Sequence, residues 1–171
     1  MKVTIATAQY PITFHQDFAA WRMHVEKWVQ QAVQSKAQLV VFPEYGSMEL
    51  VSIMATAVQQ DIQQQVLALT TIQDDFCTVW EELAKRYGIT IVAPSIPILS
   101  NQQPVNRVFV FSGQRGLVGY QDKLFMTRFE NEIWGITSGE KSVSVVLVFK
   151  SVMMSSLPLE HILYQRRGLI Y

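Results

Sequence analysis

The sequence predicts an α/β protein, and three observations carry that expectation. Short apolar runs such as Leu39-Val-Val-Phe42 and Ile89 to Pro97 read as interior strands, because a strand buried on both faces has no need of polar alternation. Stretches with apolar residues at three- and four-residue spacing read as amphipathic helices. The two patterns alternate along the chain, which is the signature of a layered α/β architecture.

In order, Val3 to Gln9 reads as a first strand, with Ile5, Ala6 and Ala8 small or apolar enough for burial on both faces. Tyr10-Pro11 ends it, since proline offers no ladder donor. Phe18, Trp21, Val25, Trp28, Val29, Ala32 and Val33 then form a helical stripe with Asp17 as N-cap, stopping near Lys36. Residues 48–70 are compatible with helix, and the glutamines Gln59, Gln60, Gln63, Gln64 and Gln65 read as a solvent face. A clearer helix covers 74–87, with Phe76, Cys77, Trp80, Leu83, Ala84 and Tyr87 on one side and Gly88 closing it. After the Ile89 strand, Asn101 to Pro104 reads as a turn, Arg107 to Ser112 as a strand, Gly113 to Gly116 as a hairpin turn and Leu117 to Gln121 as its return. No internal repeat or linker is visible.

Composition narrows the function classes. The chain has 171 residues, 49% of them hydrophobic and only 16% charged, which suits one domain or part of a larger one. Lys plus Arg and Asp plus Glu balance at 14 each, so no nucleic-acid or anionic-membrane partner is expected. No apolar run reaches membrane-spanning length, and the polar, alternating N-terminus does not read as a signal peptide. Cys77 is the single cysteine, so no internal disulfide forms, and the expected setting is a reduced, cytoplasmic one. His15, His24 and His161 are scattered, no metal centre is read from their spacing, and no glycine-rich phosphate loop or other cofactor motif occurs.

The informative stretch runs from Gly119 to Gly139. Lys123, Glu130 and Glu132 are set among Leu124, Phe125, Phe129 and Trp134, which reads as a long ordered loop holding charge against an apolar wall. A second carboxylate, Glu44, lies just past the interior strand in Phe42-Pro-Glu44, at the strand end where α/β sheets build ligand sites.

Taken together these segments resemble the carbon–nitrogen hydrolase family, the nitrilases and aliphatic amidases. The matching pieces run in the family's order: Ala8-x-x-Pro11, Leu39-Val-Val-Phe-Pro-Glu44, Tyr87-Gly-Ile-x-Ile-Val-Ala-Pro-Ser95, Asn106-x-x-x-x-Phe111, Gly119-Tyr-x-x-Lys-Leu124, Phe129-Glu130, Trp134-Gly135 and Gly139. The resemblance spans about residues 1–145 and implies a partial four-layer α-β-β-α sandwich. It also implies a Glu-Lys-Cys site in which Glu44 is the general base, Lys123 stabilises the tetrahedral intermediate, and Glu130 orients the lysine and the substrate. The residue types suit that chemistry. A thiol must give up a proton to attack an amide or nitrile carbon, and the charge that develops beside that carbon needs a cation. The partners implied are a small amide or nitrile and, for an intact member, a second copy in a homodimer.

The family's nucleophilic cysteine is expected downstream of Gly139, and no cysteine stands there. Cys77 lies upstream, on the apolar face of the 74–87 helix, and reads as a small core residue. The tail suggests why. Ser151-Val-Met-Met-Ser-Ser-Leu157 can be encoded by TCT GTT ATG ATG TCG AGT TTR, whose bases read two positions later as Cys-Tyr-Asp-Val-Glu-Phe. The methionine pair forces the Asp of that reading whatever codons surround it. Residues 1–149 are therefore expected to form an incomplete hydrolase-like domain, and 150–171 an aberrant tail without sustained periodicity. A chain truncated in this way should be inactive, and its sheet should lack the layer that covers it. The alternatives are a non-catalytic binding module on the same scaffold, or an enzyme using Ser151.

Overall fold

The computed structural model describes residues 3–139, so the expected strand over 143–149 and the tail lie outside the described residues. The elements are β1 (Ile5–Thr7), α1 (Phe18–Gln34), β2 (Leu39–Val41), a 3-10 helix (Gly46–Ile53), α2 (Thr56–Gln59), α3 (Ile62–Thr71), α4 (Gln73–Tyr87), β3 (Thr90–Val92), β4 (Ile96–Ser100), β5 (Gln103–Ser112), β6 (Gly116–Asp122) and α5 (Arg128–Glu132). Strands and helices alternate through the first half, as an α/β layer requires.

The helices form for the reasons their sequences suggest. Asp17 caps α1 by accepting from the Ala20 amide at 2.7 Å. In α4, Asp74 and Asp75 occupy the first turn and Lys85 and Arg86 the last, matching the charge of each helix end. Gly88 then adopts φ 62° and returns its amide to the last turn. The 48–70 stretch is not one helix. Three short helices replace it, and the glutamines there are not all a solvent face. Gln59 donates to the carbonyls of Ser52 and Met54, and Gln65 to that of Gln59, so these amides close the turns between the short helices.

The six strands form one sheet. β1, β2 and β3 are parallel neighbours, and β3 runs antiparallel to β5. β5 is the long central strand. One of its edges pairs with β3 at Val110 and Phe111 and with β4 from Gln103 to Arg107, while the other pairs with β6. The apolar run from Ile89 is thus two strands separated at Ala93-Pro94-Ser95, and the Asn101–Gln102 turn between β4 and β5 takes φ 50° and 64°.

The register sorts the sheet into two faces. Ala6, Val40, Ile91 and Phe111 lie in one row against the helices. Thr7, Val41, Val92 and Val110 lie in the other row, where Thr7 is exposed and Val41 and Val92 are only half-buried. Ile5, expected to be buried, points to this second face and is 46% exposed, because no described element covers it there. On the covered face Trp21, Phe76 and Trp80 form an aromatic core, with Trp21 stacked on Phe76 at 5.8 Å and Trp80 against Phe42 at 4.7 Å. Contacts of this kind add about 0.5–1.5 kcal/mol each beyond the area they bury. Phe42 also meets Tyr10 at 5.5 Å, so the chain is anchored two residues before Glu44.

Two glycines separate conformational from steric cost. A Cβ on Gly88 would meet nothing within 4 Å, whereas one on Gly46 would lie 2.8 Å from the Pro94 Cβ. Gly88→Ala is expected to cost about 1 kcal/mol, from its left-handed φ alone. Gly46→Ala should cost more, because the backbone of the Glu44 segment must move. Urea denaturation should show lower midpoints in that order at unchanged slope.

Candidate active site

Glu44 stands where the chain leaves β2. Tyr45 then adopts φ 56° and opens the 3-10 helix. The turn is tied to the segment after β3: the Tyr45 amide donates to Ser95 Oγ at 2.8 Å and Ser47 Oγ to the Ser95 carbonyl at 2.7 Å. Lys123 stands where the chain leaves β6. Its amide donates to the Asn106 carbonyl on β5 at 2.8 Å, and its own carbonyl accepts from the Gly139 amide at 2.9 Å. Only glycine fits at 139, because a Cβ there would lie 2.1 Å from the Asp122 Cβ.

Glu130 is carried by α5, a helix inside the stretch read from sequence as loop. Thr127 Oγ1 accepts from the Glu130 amide at 3.3 Å and Glu130 Oε2 accepts from the Thr127 amide at 2.7 Å, a capping box. The pattern Thr127-x-x-Glu130 is visible in the sequence, so this helix start was legible and was missed.

The three predicted residues meet on one ammonium. Lys123 Nζ lies 2.9 Å from Glu44 Oε1, and 2.8 and 2.9 Å from the two Glu130 oxygens. The two carboxylates differ in surroundings: the Glu44 side chain is 52% exposed, the Glu130 side chain 4%. Asn106 Nδ2 donates to Glu44 Oε1 at 3.0 Å, and the Tyr45 hydroxyl donates to Glu130 Oε1. Tyr45 was not singled out from sequence, and Ser95 and Asn106 only as motif letters. Their roles depend on strands meeting in space. Behind the lysine, Asp122 is buried and paired to Arg107, its direct neighbour across β5 and β6, with Nε to Oδ1 at 2.5 Å. Arg107 in turn lies over the Tyr120 ring, 3.7 Å from its centroid.

Phe42, Ala93, Ser95, Asn106 and Val108 join Glu44, Asp122 and Lys123 around an open cleft of about 280 Å³. Phe42, Ala93 and Val108 give it apolar lining, and Glu44, Asn106 and Lys123 supply polar groups, the mixture that small-molecule sites use. Cys77 does not line it. That thiol sits on α4, half-buried against the core, and burial with the nearby Asp74 and Glu81 pushes it up to about 12.

The electrostatics assign distinct states to these groups. Burial alone would raise Glu130, but the bonds from Lys123, Tyr45 and Thr127 outweigh it and hold the carboxyl at about 2. Burial likewise opposes charge on Lys123, and the hydrogen bonds and charges of Glu130 and Glu44 overcome it, so the lysine is held above its ordinary value. Burial and the Glu130 contact push the Tyr45 phenol up, which keeps it a donor. The cluster is thus a fixed Glu130–Lys123 ion pair with a more accessible carboxylate, Glu44, beside it. Chemically it can accept a proton at Glu44 and present a cation to developing negative charge.

A sequence model described as "Carbon-nitrogen hydrolase" matches residues 4–152, and the chain belongs to that family. It is 25% identical over 139 residues to the probable hydrolase YhcX of Bacillus subtilis (strain 168), a match covering 81% of this chain and 26% of that protein. Its fold is similar to a carbon–nitrogen hydrolase from Helicobacter pylori G27, with TM-score 0.61, 16% identity, and coverage of 81% of this chain and 45% of that one. An amidase from Nesterenkonia sp., of the nitrilase superfamily, gives TM-score 0.61 at 17% identity, covering 81% and 49%. The nitrilase-type α/β fold expected from the resemblance is therefore present. The chain spans about a quarter of the curated relative and about half of these solved chains.

The Glu130 carboxyl, lowered in the fold from an ordinary 4.5, contributes stability above pH 5 that is lost as pH falls toward 2. The loss should amount to about 3 kcal/mol at most. Urea denaturation across pH 7 to 2 should show it in the parent chain, and Glu130→Gln should flatten that part of the curve.

Proposed function

We propose that this chain carries the acid–base and oxyanion-stabilising part of a site that hydrolyses non-peptide C–N bonds in small amides or nitriles, and that as it stands it turns none over. The observation carrying the reading is the Lys123 ammonium held within 2.9 Å of both Glu44 and Glu130 at an open cleft. Membership of the carbon–nitrogen hydrolase family supports it.

In the reaction such a site serves, Glu44 takes the proton of a thiol, the thiolate attacks the substrate carbon, and Lys123 faces the oxygen or nitrogen that gains charge. With an amide, Glu44 then passes its proton to the departing amine; with a nitrile, the proton goes to the thioimidate nitrogen, and water adds before ammonia leaves. In both cases Glu44 activates the water that cleaves the resulting thioester. Glu130 keeps Lys123 charged and in place throughout. One structure among the similar amidases records acrylamide added to its active-site cysteine. Here the only cysteine, Cys77, belongs to the helix layer. We read residues 1–149 as the hydrolase-like domain and 150–171 as the product of a shifted reading frame, with the cysteine encoded at the Ser151 junction. The family match stops at residue 152, close to that junction. A cytoplasmic setting suits a site designed around a free thiol, and an intact member would pair as a homodimer.

A second reading rests on Asn106. It is buried, and its Oδ1 has no hydrogen-bond partner while the residue lines the cleft. An unpaired carbonyl there is an acceptor for an amide N–H, so the cleft would hold an amide without cleaving it.

Purified chain is expected to release no ammonia from simple amides or nitriles. A version read in the shifted frame from 151 should do so, and Glu44→Ala in that version should lose at least about 100-fold of the rate. Ammonia release by the present chain that disappears in Glu44→Ala would overturn the inactive reading in favour of another nucleophile. Stabilisation by amides without turnover would support the binding reading.

A further inference from the structure

Away from the cleft, the fold gathers the two histidines that look scattered in the sequence. His15 lies on the segment before α1, His24 on α1, and Glu49 on the 3-10 helix. The His15 and His24 rings are 5.1 Å apart between centroids. One ligand-capable atom from each of the three residues lies within 4.8 Å of the others. We propose that His15, His24 and Glu49 form a binding site for a single divalent transition-metal ion of the zinc type.

Three features of the pocket point to an ion rather than to a simple polar network. First, the Glu49 side chain is fully buried and that of His15 is 6% exposed, so the carboxylate has been taken out of water. A buried carboxylate needs a strong compensating charge. Second, His15 Nε2 and Glu49 Oε2 are 3.3 Å apart. Two ligands each about 2.0–2.2 Å from a tetrahedral ion are separated by roughly that edge. Third, His24 Nε2 is buried with no hydrogen-bond partner. A His15–Glu49 ion pair alone would leave that nitrogen stranded, whereas an ion between the three residues gives each a use.

The surrounding groups fit the role of orienting ligands. The Tyr10 hydroxyl donates to Glu49 Oε1, leaving Oε2 toward His15, and the Thr13 amide donates to Oε2 at 3.4 Å. Thr13 Oγ1, 3.1 Å from His15 Nε2, would turn away as the ion takes that lone pair. Tyr10 also packs edge-on against the His24 ring at 5.3 Å. Such outer contacts hold ligands in position. Two imidazoles and one carboxylate are a donor set that suits Zn²⁺ and leaves a fourth position for water. Glu44, Lys123 and Glu130 take no part, so this site stands or falls apart from the proposed hydrolase chemistry.

Titrating the full chain with zinc chloride by calorimetry, and dialysing it against zinc before elemental analysis, should give one ion per chain. Cobalt in its place should give the visible absorption of a tetrahedral centre. His24→Ala, with circular dichroism unchanged, should weaken zinc at least about 100-fold, more than an outer-contact change would. His15→Ala should do the same, and Glu44→Gln should leave binding intact. Absence of saturable binding, or full binding retained in both histidine variants, overturns the proposal. Loss of binding in Glu44→Gln would overturn it too, by placing the ion at the cleft.

Discussion

The constraint on which the cleft depends is that one ammonium must be held by two carboxylates that arrive from different parts of the chain. Lys123 follows β6, Glu44 follows β2, and Glu130 sits on α5. A charge cluster of this kind is costly to desolvate unless its hydrogen bonds are complete. The structure completes them unequally. Glu130 is saturated by Lys123, Tyr45 and the Thr127 amide, while Glu44 receives Asn106 and the lysine on one oxygen and stays half-exposed. That inequality separates a buried, saturated carboxylate from an accessible one. Two acids of the same type acquire different roles from their surroundings.

Each strand end is held by a different device. The β2 end is fixed by aromatic packing, with Phe42 wedged between Trp80 and Tyr10, and by the Ser95 hydrogen bonds that secure the left-handed turn at Tyr45. The β6 end is fixed by the Arg107–Asp122 pair and by the close approach of Gly139. The helix layer thus acts on the site at a distance: α1 and α4 bury the aromatic core that anchors Phe42. Rigid elements place the groups, and only short turns separate those elements from Glu44 and Lys123.

The same 3-10 helix that begins beside Glu44 carries Glu49 into the His15–His24 pocket. Two polar clusters therefore flank one short segment, one open to the cleft and one gathered between α1 and the 3-10 helix. On the opposite face of the sheet Ile5, Val41 and Val92 are only partly buried, while Leu39 and Val110 on the same face are covered. The solved chains with this fold are about twice as long as the stretch they share with it.

The sequence by itself determined the α/β class and the capped helices α1 and α4, and its ordered motifs singled out Glu44, Lys123 and Glu130, which the fold brings onto one ammonium, because periodicity and motifs are properties of neighbours along the chain. It misjudged what depends on distant partners. Ile5 has an apolar side chain but lies on the edge strand β1 and stays half exposed, and the apolar run from Ile89 is two strands, both paired with β5, separated at Ala93-Pro94-Ser95. Helix α5 was missed although its capping box was written in Thr127 and Glu130, since its apolar neighbours carry no helical stripe. Tertiary structure alone decided that Asn106 and Tyr45 would complete the ion cluster and that His15 and His24 would share a pocket with Glu49. Those contacts join residues dozens of positions apart, and only the pairing of strands and the packing of helices on them bring such groups together.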